Sequence, residues 1–374
     1  MKKILHISKY YYPYKGGTEV VCQDIAEGLP AYQNKIICFN NENKDKIDII
    51  NGIEVIRCGT FIKIASQPLS FSYFKKLKEI IQSWQPDAIH FHHPNPFVAL
   101  LILSLIPSNT KLIVHWHLDI FKQKFLYFFI KSQEHRLLER ANTIIVTSPN
   151  YRDNSIPLRD FISKTIIINN GIDINRFKIR EGDNEHITTL KQKYNNAPII
   201  FFVGRHVPYK GLKYLIEAEK YIQNNCAIII AGEGPLTPQL KQQTKSNRVF
   251  FIGKISEDEL KCYMYAADIF AFPSITKNEA FGLALAEGMF CNAVPVTFKI
   301  TGSGVNYVSL NGITGIEVEN SNSIEYAKAI DTILSNEELK KQYAKAAHDR
   351  VLKLFTTSQE QIAAQNLYNK LFHK

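Results

Sequence analysis

No stretch of this sequence is long and apolar enough to cross a bilayer. The longest apolar run, 97–106, is bounded by Pro96 and Pro107 and falls well short of the roughly 20 residues a membrane-spanning helix needs. The opening, Met1 to Ser8, sets two lysines before only a short apolar run. It reads as a first strand, too short for a secretion signal. The six cysteines, Cys22, Cys38, Cys58, Cys226, Cys262 and Cys291, include no Cys-x-x-Cys pair, and most lie in or beside apolar runs. Buried free thiols in a reducing cytoplasm are expected. No Gly-x-Gly-x-x-Gly follows the first strand, which argues against a hydride-transfer enzyme. No residue-level repeat, low-complexity tract or recognisable nucleic-acid module is present. Acidic residues are outnumbered, and the net charge of +10 suits an anionic ligand, a nucleic acid or an acidic membrane surface.

What is there has the make-up of a soluble globular protein, with 45% hydrophobic and 21% charged residues. At 374 residues the chain exceeds one ordinary core, so two domains are expected. Strand-like runs alternate with helical patterns throughout, predicting an α/β fold of parallel sheets wrapped by helices. Strands are expected at 3–8, 35–39, 53–57, 87–91, 111–116, 142–147 and 164–169. A second series follows at 199–204, 227–231, 248–252, 268–273 and 293–297. Polar, turn-rich sequence around 174–197 separates the two series. The division expected is 1–175 for the first domain, 176–198 for a linker and 199–356 for the second domain. A final helix at 357–374 is expected to pack back on the first domain. Two doubly wound domains facing each other create a cleft, and ligands of such folds sit beyond the carboxyl ends of strands. Gly16-Gly17, His117, Asn170-Gly171, Gly204-Arg205, Gly232-Glu233-Gly234 and 274–283 all fall just after expected strands.

The stretch 274–290 carries the sharpest signal. It places Glu279 in a loop, then Phe281-Gly282-Leu283 at a turn, then a short helix with Glu287. A helix start leaves amide N–H groups unpaired, and with the positive end of the helix dipole these seat a phosphate. Gly282 lets the backbone approach a ligand closely. Eight residues of helix advance about 12 Å, so the two carboxylates suit opposite ends of one long ligand, such as a nucleotide diphosphate sugar. The plain alternative is a helix cap and a solvated surface residue.

Arg205 and Lys210, in the loop after the first strand of the second series, offer a planar fork and a mobile point charge for a departing diphosphate. Together they can stabilise a leaving group without a metal; two exposed cations at a turn is the bland reading. His115, His117 and Asp119 have the spacing of a zinc-hydrolase motif, but that motif continues with histidine where this chain has Ile120. His90, His92 and His93 add to the count. A pocket-wall histidine is favoured over a metal cluster. Gly302-Ser303-Gly304 is a loop that either approaches a ligand or simply turns. The stretch 122–140 is basic and aromatic. With 71–78 it suits a patch resting on anionic lipid, or else a core helix with a solvated basic face.

Taken as an ordered set, Gly16-Gly17, His117, Asn170-Gly171-Ile172-Asp173, Arg205 with Lys210, Gly232-Glu233-Gly234-Pro235 and Glu279-x7-Glu287 resemble the retaining GT-B glycosyltransferases of family four. The likeness spans nearly the whole chain, and the stretch 301–315 resembles the O-antigen and surface-polysaccharide subgroup. It implies two Rossmann-like domains across a cleft, and transfer of a hexose-type sugar from a nucleotide diphosphate sugar to a growing, lipid-linked glycan. The resemblance implies catalytic roles for His117, Glu279, Arg205 and Lys210. It implies donor-binding roles for Gly16, Gly17, Asn170, Gly204, Gly234, Phe281, Gly282, Leu283 and Glu287, with Glu287 on the ribose. No metal and no cofactor beyond the sugar donor are expected, nor any nucleic acid. A cytoplasmic protein, peripheral on the inner membrane face, is the implied location. The competing readings are a nucleotide-sugar 2-epimerase of the same architecture, and a zinc hydrolase built on His115, His117 and Asp119. One departure is Gly288, where the family pattern is alanine-rich. Glycine within a helix costs about 1 kcal/mol relative to alanine, so an early helix end is expected there.

Overall fold

The computed structural model describes residues 1–14, 16–64, 67–120 and 124–372, apart from the side chains of 124–129. Residues 122 and 123 of the basic aromatic stretch therefore lie outside the described residues, and the helix there spans Lys124–Arg140. The chain divides into two compact units: Met1–Asn170 with Ser358–Lys374, and Gly171–Thr357.

The strands of the first unit are β1 (Lys3–Ile7), β2 (Gln33–Phe39), β3 (Lys46–Ile50), β4 (Ile53–Cys58), β5 (Ile62–Ile64), β6 (Gln67–Leu69), β7 (Ala88–His93), β8 (Lys111–Trp116), β9 (Thr143–Val146) and β10 (Thr165–Ile167). Eight of them form one sheet in the order β10-β9-β8-β7-β1-β2-β4-β3, while β5 and β6 pair separately. Every ladder of the large sheet is parallel except β3 on β4. Parallel strands covered on both faces read as near-continuous apolar runs, which is why the central strands stand out in the sequence. Edge strand β3 alternates Lys, Ile, Asp and leaves Ile47 and Ile49 exposed, so no apolar run announces it. The final helix, Thr357–Phe372, lays Ala364, Leu367 and Tyr368 against Val21 and Ile25 of the helix Gly17–Glu27.

The second unit has β11 (Ile199–Val203), β12 (Ala227–Ala231), β13 (Val249–Gly253), β14 (Ile269–Phe272), β15 (Val294–Phe298) and β16 (Ile316–Val318), in the order β13-β12-β11-β14-β15-β16. All are parallel. The order reverses between β11 and β14, the position where open α/β sheets bind ligands beyond the strand ends.

Two expectations are corrected here. The stretch 176–198 is no linker: its helix Asp183–Lys193 packs on the helix Glu257–Ala266 of the second unit. Ile187 and Leu190 supply the apolar contact, and buried Lys261 pairs with Asp183 at 2.6 Å. Surrounding polar residues mask that two-residue stripe in the sequence. Nor does Gly288 end its helix, which runs over Leu283–Phe290. A Cβ on Gly288 would come within 2.5 Å of the Phe270 ring. The glycine is there because the helix lies directly on β14.

All six cysteines are buried and unpaired. Burial pushes the thiol of Cys38 up to about 12 and that of Cys226 up to about 11.

Histidines fill part of the first unit's core. Strand register sets His6 beside His90 and His92 beside His115; strand alternation then puts His90 and His92 on one face. The rings of His90 and His92 stack at 4.6 Å, and those of His115 and His117 at 4.1 Å. His92 Nδ1 meets His117 Nε2 at 2.9 Å, and His90 Nδ1 meets the Tyr368 hydroxyl at 2.9 Å. On the other face His93 stacks on Trp116 and bonds Glu134 at 3.0 Å. Burial holds the His6 ring down to about 4 and the His117 ring down to about 3, with His90, His92 and His115 also well below the ordinary range.

Two measurements test this packing. Gly288→Ala raises intrinsic helix propensity yet is expected to destabilise the second unit by about 1–3 kcal/mol, because the methyl group overpacks Phe270. A denaturation midpoint equal to or above wild type would contradict the contact. His6, His90, His92, His115 and His117 are neutral in the fold but take up protons when unfolded below about pH 6.5. Their contribution to stability is therefore complete above that pH and lost as the pH falls from about 6.5 towards about 4. Each buried ring is worth about 1 kcal/mol per pH unit in that window. Both tryptophans, Trp84 and Trp116, lie in the first unit, so tryptophan fluorescence during denaturation reads this unit alone. Equal stability at pH 7 and pH 5 would contradict the prediction.

Candidate functional site

Strand β14 ends at Phe272, and the chain then loops through Ser274 and Glu279 into the helix Leu283–Phe290. Gly282 precedes that helix with φ +99°, and no side chain caps it. This left-handed conformation is open to glycine at little cost. The amides of Phe281, Gly282 and Leu283 donate no hydrogen bond among the described residues. A helix start left open in this way is suited to an anion.

The loop before it is held from behind. Gly304 N donates to Ala280 O at 3.0 Å, and the Ser303 hydroxyl donates to Glu279 O. A side chain at Gly304 would overlap the Ala280 carbonyl. The Gly302-Ser303-Gly304 loop thus braces the backbone of 279–281.

A second loop, after β11, supplies the cations. Gly211, at φ +63°, closes the short turn Pro208–Lys210, and a side chain there would overlap the Pro273 carbonyl oxygen. Ile275 N donates to Tyr209 O at 2.9 Å. The two loops are therefore joined backbone to backbone. Lys210 donates to the Glu279 carboxylate, which also accepts from the Ser274 hydroxyl at 3.4 Å. The Lys210 ammonium lies 5.0 Å from the centre of the Phe272 ring. Arg205 differs: it is exposed and makes no ion pair or side-chain hydrogen bond among the described residues. The neighbouring crest joins in through backbone approach, Gly232 against Gly204 and Gly234 against His206. His206 N donates to Glu233 O at 3.2 Å.

Glu287 faces a partner that sequence reasoning missed. Arg176 Nη1 donates to Glu287 Oε1 at 3.0 Å. Burial raises the Glu287 carboxyl above its ordinary value, and the Arg176 charge opposes that rise. One carboxylate oxygen is engaged and the second has no recorded partner among the described residues. Arg176 lies three residues beyond Asp173, a proximity that was its one available signal.

The remaining candidates belong to the first unit. Gly16 precedes the helix Gly17–Glu27, and the Glu19 carboxylate folds back beside it. Burial raises that carboxyl. This helix start is thus covered by its own acid, whereas the one at Leu283 is open. His117 is buried, with its backbone N donating to His93 O at 3.2 Å. Asn170 is buried and its Oδ1 has no recorded donor. Asp119 Oδ1 accepts from Trp116 Nε1 at 2.8 Å and from the Ser155 hydroxyl at 2.7 Å. Among the described residues, His6, Cys22 and His92, and also His90, His92 and His115, bring ligand atoms close enough to share an ion. Neither group contains His117 or Asp119, so the zinc-hydrolase constellation is not assembled as its motif requires.

Residues 15–176 match the family model described as Glycosyltransferase Family 4, and residues 184–350 match the one described as Glycosyl transferases group 1. The chain is 27% identical over 375 residues to O-antigen chain mannosyltransferase C of Escherichia coli, covering 99% of this chain and 98% of that one. It is 27% identical over 363 residues to D-rhamnosyltransferase WbpZ of Pseudomonas aeruginosa, covering 95% and 92%. HepE of Anabaena, solved in complex with UDP and glucose, superposes with a TM-score of 0.78 at 21% identity over 100% of both chains. Sucrose-phosphate synthase from Thermosynechococcus elongatus gives 0.81 at 20% identity, again over 100% of both. These two likenesses bear on the fold alone. With the two family models between them taking in both doubly wound units, and relatives matched over nearly their whole length, the chain belongs to glycosyltransferase family 4 and has the GT-B fold.

Proposed function

We propose that this glycosyltransferase moves a hexose-type sugar from a nucleotide diphosphate sugar to a hydroxyl of a growing, lipid-linked glycan of the O-antigen or surface-polysaccharide kind, retaining the anomeric configuration. The observation that carries the reading is the open helix start at Leu283, with the Lys210–Glu279 pair held in the loops beside it. The name of the Escherichia coli relative supports an O-antigen type of product, that of the Pseudomonas aeruginosa relative supports transfer of a hexose-type sugar, and a fold neighbour was solved with UDP-glucose.

In this reading the diphosphate takes the amides of Phe281, Gly282 and Leu283. Lys210 turns from Glu279 to a phosphate oxygen, and the exposed Arg205 closes on the same charge. Glu279, released, faces the donor sugar. The second oxygen of Glu287 accepts from the ribose hydroxyls while Arg176 holds the first. Gly204 and Gly234 shape the crests beside this seat. The family pattern assigns Gly16, Gly17, His117 and Asn170 to the donor as well; His117 enters neutral, because burial keeps its ring unprotonated.

No side chain is assigned as a covalent nucleophile. The bond from the anomeric carbon to the phosphate oxygen breaks as the acceptor hydroxyl attacks the same face. A phosphate oxygen receives the hydroxyl proton. Fixed donors aimed at the developing phosphate charge supply most of the acceleration, so no metal is invoked.

Lys210→Ala and Glu279→Ala are each expected to lower transfer about a hundredfold or more while circular dichroism is unchanged. Near-normal transfer by both variants would remove the site. Transfer should persist in chelator, and magnetic resonance of the product should show the donor's anomeric configuration; an inverted product overturns the route. Conversion of donor to an epimer without acceptor would favour the epimerase reading.

A further inference from the structure

The histidine file of the first unit runs up against a thiol, and the proposed transfer uses none of the three groups that meet there. His6 on β1, Cys22 on the helix Gly17–Glu27 and His92 on β7 are each 1% exposed or less. Each offers one ligand atom, and the three atoms lie within 4.8 Å of one another. An ion between them would stand no more than about 2.8 Å from each, against roughly 2.0–2.3 Å for formed zinc bonds to nitrogen and sulfur. Small side-chain rotations close that gap. The elements involved are already packed: β1 pairs with β7, and Val21 and Ile25 of the helix share a core with Ile4 of β1 and Ala88 of β7.

Hydrogen bonding leaves one nitrogen bare on each of the two rings. His6 Nε2 meets Asn34 Oδ1 at 3.2 Å, and Asn34 Nδ2 donates to Leu29 O at 2.9 Å and Tyr32 O at 3.4 Å. Those two carbonyls decide which end of the amide faces the histidine. Neutral His6 therefore carries its proton on Nε2 and leaves Nδ1 as a lone pair. His92 Nδ1 meets His117 Nε2 at 2.9 Å. His6 Nδ1 and His92 Nε2 have no partner among the described residues. Buried polar atoms are rarely left so, because the lost hydration is not repaid. An imidazole that binds a metal holds an outer group with its second nitrogen, and Asn34 and His117 occupy those outer places. The trio His90, His92 and His115 is less suited. His90 has Nδ1 against the Tyr368 hydroxyl at 2.9 Å and Nε2 against His115 Nδ1 at 3.4 Å, so neither nitrogen is spare. That trio also lacks a group to balance a cation's charge.

We propose that His6, Cys22 and His92 form a structural site for one soft transition ion, copper(I) or zinc(II), bound through His6 Nδ1, His92 Nε2 and the Cys22 thiolate. Thiolate and imidazole are ligands such ions select. Coordination displaces the Cys22 thiol proton to solvent. One thiolate cancels the charge of copper(I) but leaves zinc(II) positive, and an uncompensated buried charge is costly. Copper(I) is therefore held more tightly. The ion fastens the helix Gly17–Glu27 to β1 and β7. It takes no part in breaking the sugar–phosphate bond, so the site stands apart from the transfer reading.

Because all three ligands are buried, the test refolds the full chain with copper(I) alone or zinc(II) alone, desalts it and measures the metal retained. One ion per chain is expected, with a sulfur-to-copper charge-transfer band in the ultraviolet for the copper form. Tryptophan fluorescence, which reads the first unit, should show a thermal midpoint raised by about 5 °C or more. Cys22→Ala and His6→Gln are each expected to weaken binding about a hundredfold or more and to lose that rise. Cys38→Ala removes a buried thiol of the cluster that also holds Cys22, and should keep both the ion and the rise. Should His6→Gln fail to fold, Cys22→Ala still decides the matter. A wild type that retains neither copper nor zinc overturns the proposal. So does equal retention by Cys22→Ala, which assigns the ion to adventitious surface groups, and so does loss of binding in Cys38→Ala.

Discussion

An unpaired amide near the end of a helix is a debt that water, a side chain or a ligand must settle. At Leu283 no side chain does so. The conformation of Gly282, the brace from Ser303 and Gly304, and the joining of the Tyr209 and Ile275 loops all serve to hold that start open and aimed. Backbone amides fixed this way do not reorganise when charge arrives, and that is why they stabilise developing charge better than mobile water. The second unit is best understood as a frame for this one open end.

The two units use charge differently. The second keeps its cation and carboxylate together: Lys210 with Glu279, and Arg176 with Glu287. Each pair leaves a carboxylate that is compensated yet still able to accept a further bond. The first unit keeps rings neutral by burial, stacking five histidines from β1, β7 and the end of β8 where aliphatic residues would ordinarily lie. Those histidines tie three strands through ring contacts and a few hydrogen bonds, and they extend to His117 at the carboxyl end of the sheet.

Much of this was legible in the sequence. Central parallel strands appear as unbroken apolar runs such as Ile199–Val203 and Ala227–Ala231, so the alternation and the two-unit division could be read directly. The loop motifs were legible because their glycines and charged residues follow those runs. Edge strands β3 and β16 were not, since half-exposed strands alternate polar and apolar residues over too short a span. The helix Asp183–Lys193 was hidden because its anchor is a buried ion pair with Lys261, distant in sequence. Arg176 and the brace from Gly304 escaped for the same reason: their meaning lies in contacts made across the sheet. The histidine file is the clearest such case, because only strand register brings His6, His90 and His115 together.

The crests after β11, β12 and β14 touch through main chain: Gly232 under Gly204, Gly234 under His206, Gly211 under Pro273. None can gain a methyl group unless its neighbour retreats. Divergence among descendants of such a scaffold is thereby channelled into residues that project freely and hold no phosphate, while the contour itself is inherited almost unaltered. A library aimed at new donors gains most by varying those projecting positions and leaving the interlocked turns alone.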